Sequence, residues 1–190
     1  MEAAFKKIEQ LLTNDDFQIR ALGPQLYSEF SSMSGIDQHR NAEGEFGKSF
    51  KNPIPTNGPI GSISYLSNLS VEKGHRITFH RVNTIQKIDA YEYVSLSGSE
   101  WGFLFLDMYH SRKSRKIPDG FIKQDGPHQF IGFNHFWDDF PFGFAEQKSK
   151  VPSDLRLLYS SIDSISREMS GRNYVRPEVH NIILQQLIST

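Results

Sequence analysis

Apolar positions recur at helical spacing near the start of the chain and at strand spacing through its middle. Phe5, Ile8, Leu11 and Leu12 mark a first helix ending near Thr13. Asn14 or Asp15 can cap a short second helix to Leu22, which Gly23-Pro24 stops. Pro24 suits the first turn of a third helix, with Leu26, Tyr27, Phe30 and Met33 on one face and Gly35 past its end. From Ser34 to Gly58 the periodicity is lost in a polar segment rich in Gly, Asn and Pro. A structureless loop of that length inside a compact domain is usually functional or mobile.

Four strands are expected next: Ile60 to Leu69, Arg76 to Val82, Asp89 to Leu96 and Trp101 to Tyr109. Glu72-Lys73-Gly74 and Ser97-Gly98-Ser99 fit hairpin links, and short links favour an antiparallel meander. In the last strand Trp101, Phe103 and Phe105 face one way and Leu104, Leu106 and Met108 the other. Both faces are apolar, so this strand is expected at the centre, covered on both sides. The stretch from Ile117 to Phe144 is aromatic and punctuated by Gly and Pro, and Phe130 to Phe133 can add a strand. Ser153 can cap a helix carrying Leu155, Leu158, Ile162, Ile165 and Met169, which Gly171 ends. Pro177 opens a last helix with Val179, Ile183 and Leu187.

The resulting expectation is a single α+β domain: a central antiparallel β-meander with N-terminal helices and two C-terminal helices packed on the sheet. Residues 1–35 form the helical start, 36–58 a loop, 59–144 the sheet and aromatic loops, and 152–190 the C-terminal helices. A homodimer through the helical seams is compatible with this reading, although the repeat is too short for a coiled coil.

The composition agrees with a globular chain, at 37% hydrophobic and 23% charged residues over 190 positions. Fifteen Phe and seven Tyr shift the core toward aromatic packing. A formal charge of -1 argues against bulk attraction to nucleic acid or anionic lipid. Having no cysteine, the chain lacks disulfides, thiolate nucleophiles and Cys-based metal sites. The start MEAAFKKIEQLL lacks a signal peptide's basic and apolar regions, and no apolar run reaches membrane-spanning length, so a cytoplasmic location is expected.

Candidate chemistry gathers in WGFLFLDMYHSRKSRK, where a strand runs into a basic loop. Asp107 and His110 stand at the junction, and His80 lies on a strand that could run beside them. A carboxylate and two imidazoles can bind a divalent metal or act as base and orienter in hydrolysis. His135, Asp138 and Asp139 offer a second set of the same residue types. Equally, a strand-end Asp can cap backbone amides, and a His among aromatics is often simply packed. Arg112, Lys113, Arg115 and Lys116 form the one basic cluster, suited to phosphate, carboxylate or an acidic protein partner. With Trp137 and His135 in the aromatic segment they make the expected binding surface, unless they only solvate the loop. Ala42 to Ser49 matches a loose phosphate-loop pattern with Ala for the first Gly, but polar residues precede it and Asn52-Pro53 follows too soon for a helix.

The leading reading from sequence is a non-enzymatic binding or accessory protein that docks a macromolecular partner, a protein rather than nucleic acid, through the basic loop and aromatic segment. On that reading no cofactor is required. One alternative is a hydrolase, metal-assisted and acting on a phosphoester, centred on Asp107 and His110. Another is a sensor of a small ligand.

Overall fold

The N-terminal periodicity resolves into helices α1 (Glu2–Thr13), α2 (Asp15–Arg20) and α3 (Pro24–Ser32). They belong to a computed structural model that describes residues 2–124, 129–159, 169 and 171–189. Asn14 is the cap of α2, its side chain accepting from the Phe17 amide at 2.9 Å. In α3 the expected apolar face is largely at the surface: Phe30 is buried, whereas Leu26 is exposed.

The segment read as a loop supplies a two-residue strand, β1 (Ile54–Pro55), and then a helix, α4 (Gly58–Ser67). The expected strand from Ile60 to Leu69 is therefore corrected. Alternating Ser and apolar residues imitate a strand's period of two, but α4 is buried nearly all round, so it has no polar face to advertise its helical period. Its serines are satisfied internally: Ser62 Oγ lies 2.7 Å from Thr56 Oγ1, and Ser64 Oγ donates to the Leu12 carbonyl. Pro59 sits in its first turn, where a missing N–H costs nothing.

Only Leu69 of that run is extended, opening β2 (Leu69–Val71). Then come β3 (Ile77–Ile85), β4 (Ile88–Ser95) and β5 (Trp101–Asp107), close to the expected spans. They form the antiparallel meander, and β1 adds in parallel outside β5, giving the order β1-β5-β4-β3. The sheet is thus mixed, and β5 is an inner strand as its two apolar faces required. A short β6 (Phe121–Lys123) pairs antiparallel with β2. Phe133 adds one parallel bridge, to His80, at the β3 edge rather than a full strand.

Two apolar layers cover the sheet. On one side Phe79, Tyr91, Leu104 and Leu106 join Leu11, Leu12, Ile63 and Leu66 of the helices, together with Phe133, Trp137, Phe140 and Phe144. After helix α5 (Phe144–Lys150), a turn through Ser153 leads to a single 3-10 turn (Arg156–Leu158), so Ser153 does not open an α-helix. Ile162 and Ile165 lie outside the described residues. The last helix, α6 (His180–Ser189), begins three residues after Pro177 and covers the other side, with Leu184 against Ala90, Phe103 and Phe105. The architecture is α+β. Among the described residues no helix is long and apolar enough to cross a membrane.

Candidate metal centre

Strand β5 delivers Asp107 to the end of the sheet, and the chain beyond it is held by β1 and its continuation. Thr56 N–H donates to the Asp107 carbonyl at 2.7 Å, His110 N–H donates to the Thr56 carbonyl at 3.1 Å, and Asn57 bridges Tyr109. The Asp107 side chain turns back on its own loop, Oδ1 accepting the Tyr109 amide at 3.1 Å. That leaves Oδ2 facing two imidazoles. It lies 3.1 Å from His110 Nε2 and 3.3 Å from Nε2 of His39, which comes from the long segment before β1. The three ligand atoms all fall within 4.8 Å of one another.

The protons on these rings matter. His110 Nδ1 is 3.0 Å from the Ser34 carbonyl, which can only accept, so Nδ1 carries a hydrogen. In neutral His110, Nε2 then presents a lone pair to a carboxylate oxygen at hydrogen-bond distance. A cation bound by both relieves that clash; otherwise the ring must be an imidazolium. His39 weighs toward the cation, because its buried Nε2 makes no hydrogen bond despite its closeness to Asp107. An imidazole whose far nitrogen is tied to a backbone carbonyl is also the usual arrangement of a metal-ligating His. Zinc bonds of about 2.0–2.1 Å give tetrahedral edges of about 3.3–3.4 Å, near the two spacings seen. Burial would raise the Asp107 carboxyl, but in the metal-free site a His110 imidazolium donating from Nε2, the Tyr109 amide and positive charge at the neighbouring rings hold it below its usual range. Two His and one carboxylate leave coordination positions open for water or substrate.

The other predicted residues go elsewhere. His80 does not join Asp107 and His110: it is fully buried on β3, where Nε2 donates to Glu92 Oε2 at 2.8 Å and Nδ1 accepts the Trp137 amide at 3.1 Å. Glu92 also accepts from Trp101 Nε1 at 2.8 Å and Arg176 Nε at 2.5 Å, which completes a buried structural network. His135 bonds Gln147 at 3.2 Å, while Asp138 and Asp139 are exposed, so the second set does not assemble. Sequence grouped these residues by type, but strand pairing and loop packing decide which of them meet.

Trp137 is a core residue, fully buried and donating from Nε1 to the Phe142 carbonyl. The exposed aromatics of its segment are Phe136 and Phe142. The basic cluster is largely occupied in holding the loop. Arg112 pairs with Asp37 at 2.6 Å, Lys113 with Asp15 at 2.6 Å, and Lys116 Nζ donates to Gln38 Oε1 at 2.8 Å. The Arg115 side chain is exposed. Ala42 to Ser49 forms turns with no strand before it and no helix after it, and Gly47 spends its amide on Asn52 at 2.8 Å.

His39 was missed because it stands in a segment without periodicity. The signal that pointed to it was the unusual length of that segment. The chain matches no known family model, and no curated protein or solved structure is significantly similar to it.

Proposed function

We propose that the chain is a metal-dependent hydrolase acting on a phosphoester, with His39, Asp107 and His110 as the ligands. The observation that carries this reading is the convergence of three ligand atoms, with His110 anchored through Nδ1 and His39 Nε2 left without a hydrogen-bond partner. A bound divalent cation would activate water and polarise a phosphoryl oxygen. Water adds to phosphorus, the bond to the leaving alkoxide breaks, and the water proton ends on that alkoxide. An open cleft of about 380 Å³ runs beside His39, lined in part by Arg40, Lys51 and Phe50. Its two cations suit an anionic ester.

The test is metal analysis of the purified chain after equilibration with zinc or manganese, paired with turnover of bis(p-nitrophenyl) phosphate. Equimolar metal, lost in His39→Ala and His110→Ala with the circular dichroism unchanged, is expected. Turnover should stop with a chelator and return with metal. Turnover indifferent to chelation, or metal retained by both variants, would overturn the reading.

A second reading, docking of a protein partner without catalysis, is favoured by Phe136 and Phe142, which are 58% and 47% exposed. Native mass spectrometry should then show a stoichiometric polypeptide that Phe136→Asp with Phe142→Asp removes.

A further inference from the structure

We propose that a second cleft, between α1, α4 and the loop after β5, binds a small molecule carrying a phosphate group. It has a volume of about 390 Å³, within the range of small-molecule pockets. No ligand of the metal centre lines it, and the proposal does not rest on that centre. Lys113, Arg115 and Lys123 line it, against a single carboxylate, Asp15. That carboxylate is already engaged, with Oδ1 2.6 Å from Lys113 Nζ. On a chain of formal charge -1, a cleft with this local cationic surplus selects for anions.

Each cation has something left to give. The Lys113 ammonium spends two of its three N–H groups, on Asp15 and on Gln18 Oε1, both at 2.6 Å. Its side chain is only 14% exposed, and burial lowers its pKa although Asp15 opposes the shift, with a smaller push in the same direction from repulsion by Lys123. An anion between the two lysines would relieve that repulsion. The exposed Arg115 carries a guanidinium fork that matches phosphate oxygens. Leu12, Leu69 and Ile117 complete an apolar wall, which suits a molecule with a partly apolar body rather than a bare ion.

The test is calorimetric titration of the full chain with inorganic pyrophosphate and with adenosine monophosphate, in buffer containing EDTA. The chelator separates this cleft from the metal centre. Saturable equimolar binding of at least one probe is expected, weakened by added salt. Arg115→Glu with Lys123→Glu should weaken it at least about tenfold, while Arg115→Lys with Lys123→Arg should retain it. His110→Ala should leave it unchanged. The proposal fails if neither probe saturates below about 10 mM. It also fails if the Glu variant binds as well as the parent chain, or if binding vanishes with His110→Ala.

Discussion

Arg112 donates from Nη1 to Asp37 Oδ1 at 2.6 Å, which ties the loop after β5 to the segment that carries His39. The same oxygen accepts the Arg115 amide at 2.8 Å, and Ser114 Oγ donates to the Asp37 carbonyl at 2.7 Å. Gly35 belongs to this seam, since a Cβ there would lie 2.7 Å from Arg112 Cγ. His39 thus owes its position to contacts that touch no ligand atom.

Asp37→Ala should therefore weaken zinc binding roughly tenfold while leaving all three ligands in the chain, as loss of an outer support does in metal sites. Competition with a chromophoric chelator measures it. Unchanged affinity would mean that the contacts the variant keeps, Ser114 Oγ to the backbone carbonyl of residue 37 at 2.7 Å and Gln38 to Asn52 at 3.1 Å, suffice to hold the segment.

Glu92 anchors a buried network on the sheet and is costly to remove. Glu92→Ala strips Arg176 of its carboxylate and leaves His80 and Trp101 without an acceptor, and a loss of about 3–5 kcal/mol is expected in urea unfolding. Burial alone would raise its carboxyl, but the hydrogen bonds from His80, Arg176 and Trp101 carry it below the ordinary value of 4.5. A depressed carboxyl gives its full stabilisation above that value and loses it as the pH falls through the lower folded value. Glu92→Gln should accordingly show a flatter stability curve in that acidic window.

His80 makes a separate prediction near neutrality. Burial lowers its pKa from 6.5 despite the Glu92 contact. The unfolded ring gains its proton first, so this group's contribution is complete above about pH 6.5 and declines as the pH falls toward the lower folded value. Nitrogen NMR should find the neutral Nε2–H tautomer at pH 6. A protonated ring there would refute the assignment.

The β3–β4 hairpin turns through Gln86 and Lys87, whose φ angles of 48° and 75° place both in the left-handed region. Neither residue type favours that conformation, whereas Asn-Gly does. Gln86→Asn with Lys87→Gly should raise stability by about 1 kcal/mol, seen as a higher urea midpoint at constant slope. Part of the gain will be offset by losing the Lys87 ammonium, 5.5 Å from the Tyr109 ring.

That hairpin also explains part of what was readable from sequence. Strands β3 and β4 announced themselves by apolar positions at strand spacing, and β5 by a continuous apolar run whose two apolar faces indicated its inner position. The turn between β3 and β4 did not, because Gln-Lys carries no turn chemistry. Helix α4 was hidden by burial on every side, a tertiary condition that local periodicity does not record. Asp107 and His110 were visible because strand end and loop follow each other in the chain. His39 was not, since 68 positions separate it from Asp107 and only the folded topology joins them. The basic loop was visible as a charge run, but its partners Asp15, Asp37 and Gln38 were not, because they too are distant in sequence.

Strand β1 is two residues long, yet it determines when the chain acquires a site at all. A parallel pairing cannot close until the chain between the partners has been laid down, and Thr56 meets Asp107 across 51 residues. The entropic cost of such a closure comes before its reward, so β1 docking is expected among the late steps of folding. A cation held by His39, Asp107 and His110 would act as a clasp on that last step. At a hundredfold excess over its dissociation constant it would contribute about 2.7 kcal/mol. Withdrawing it would register first in the amide exchange of residues 34–57, ahead of any loosening of the meander.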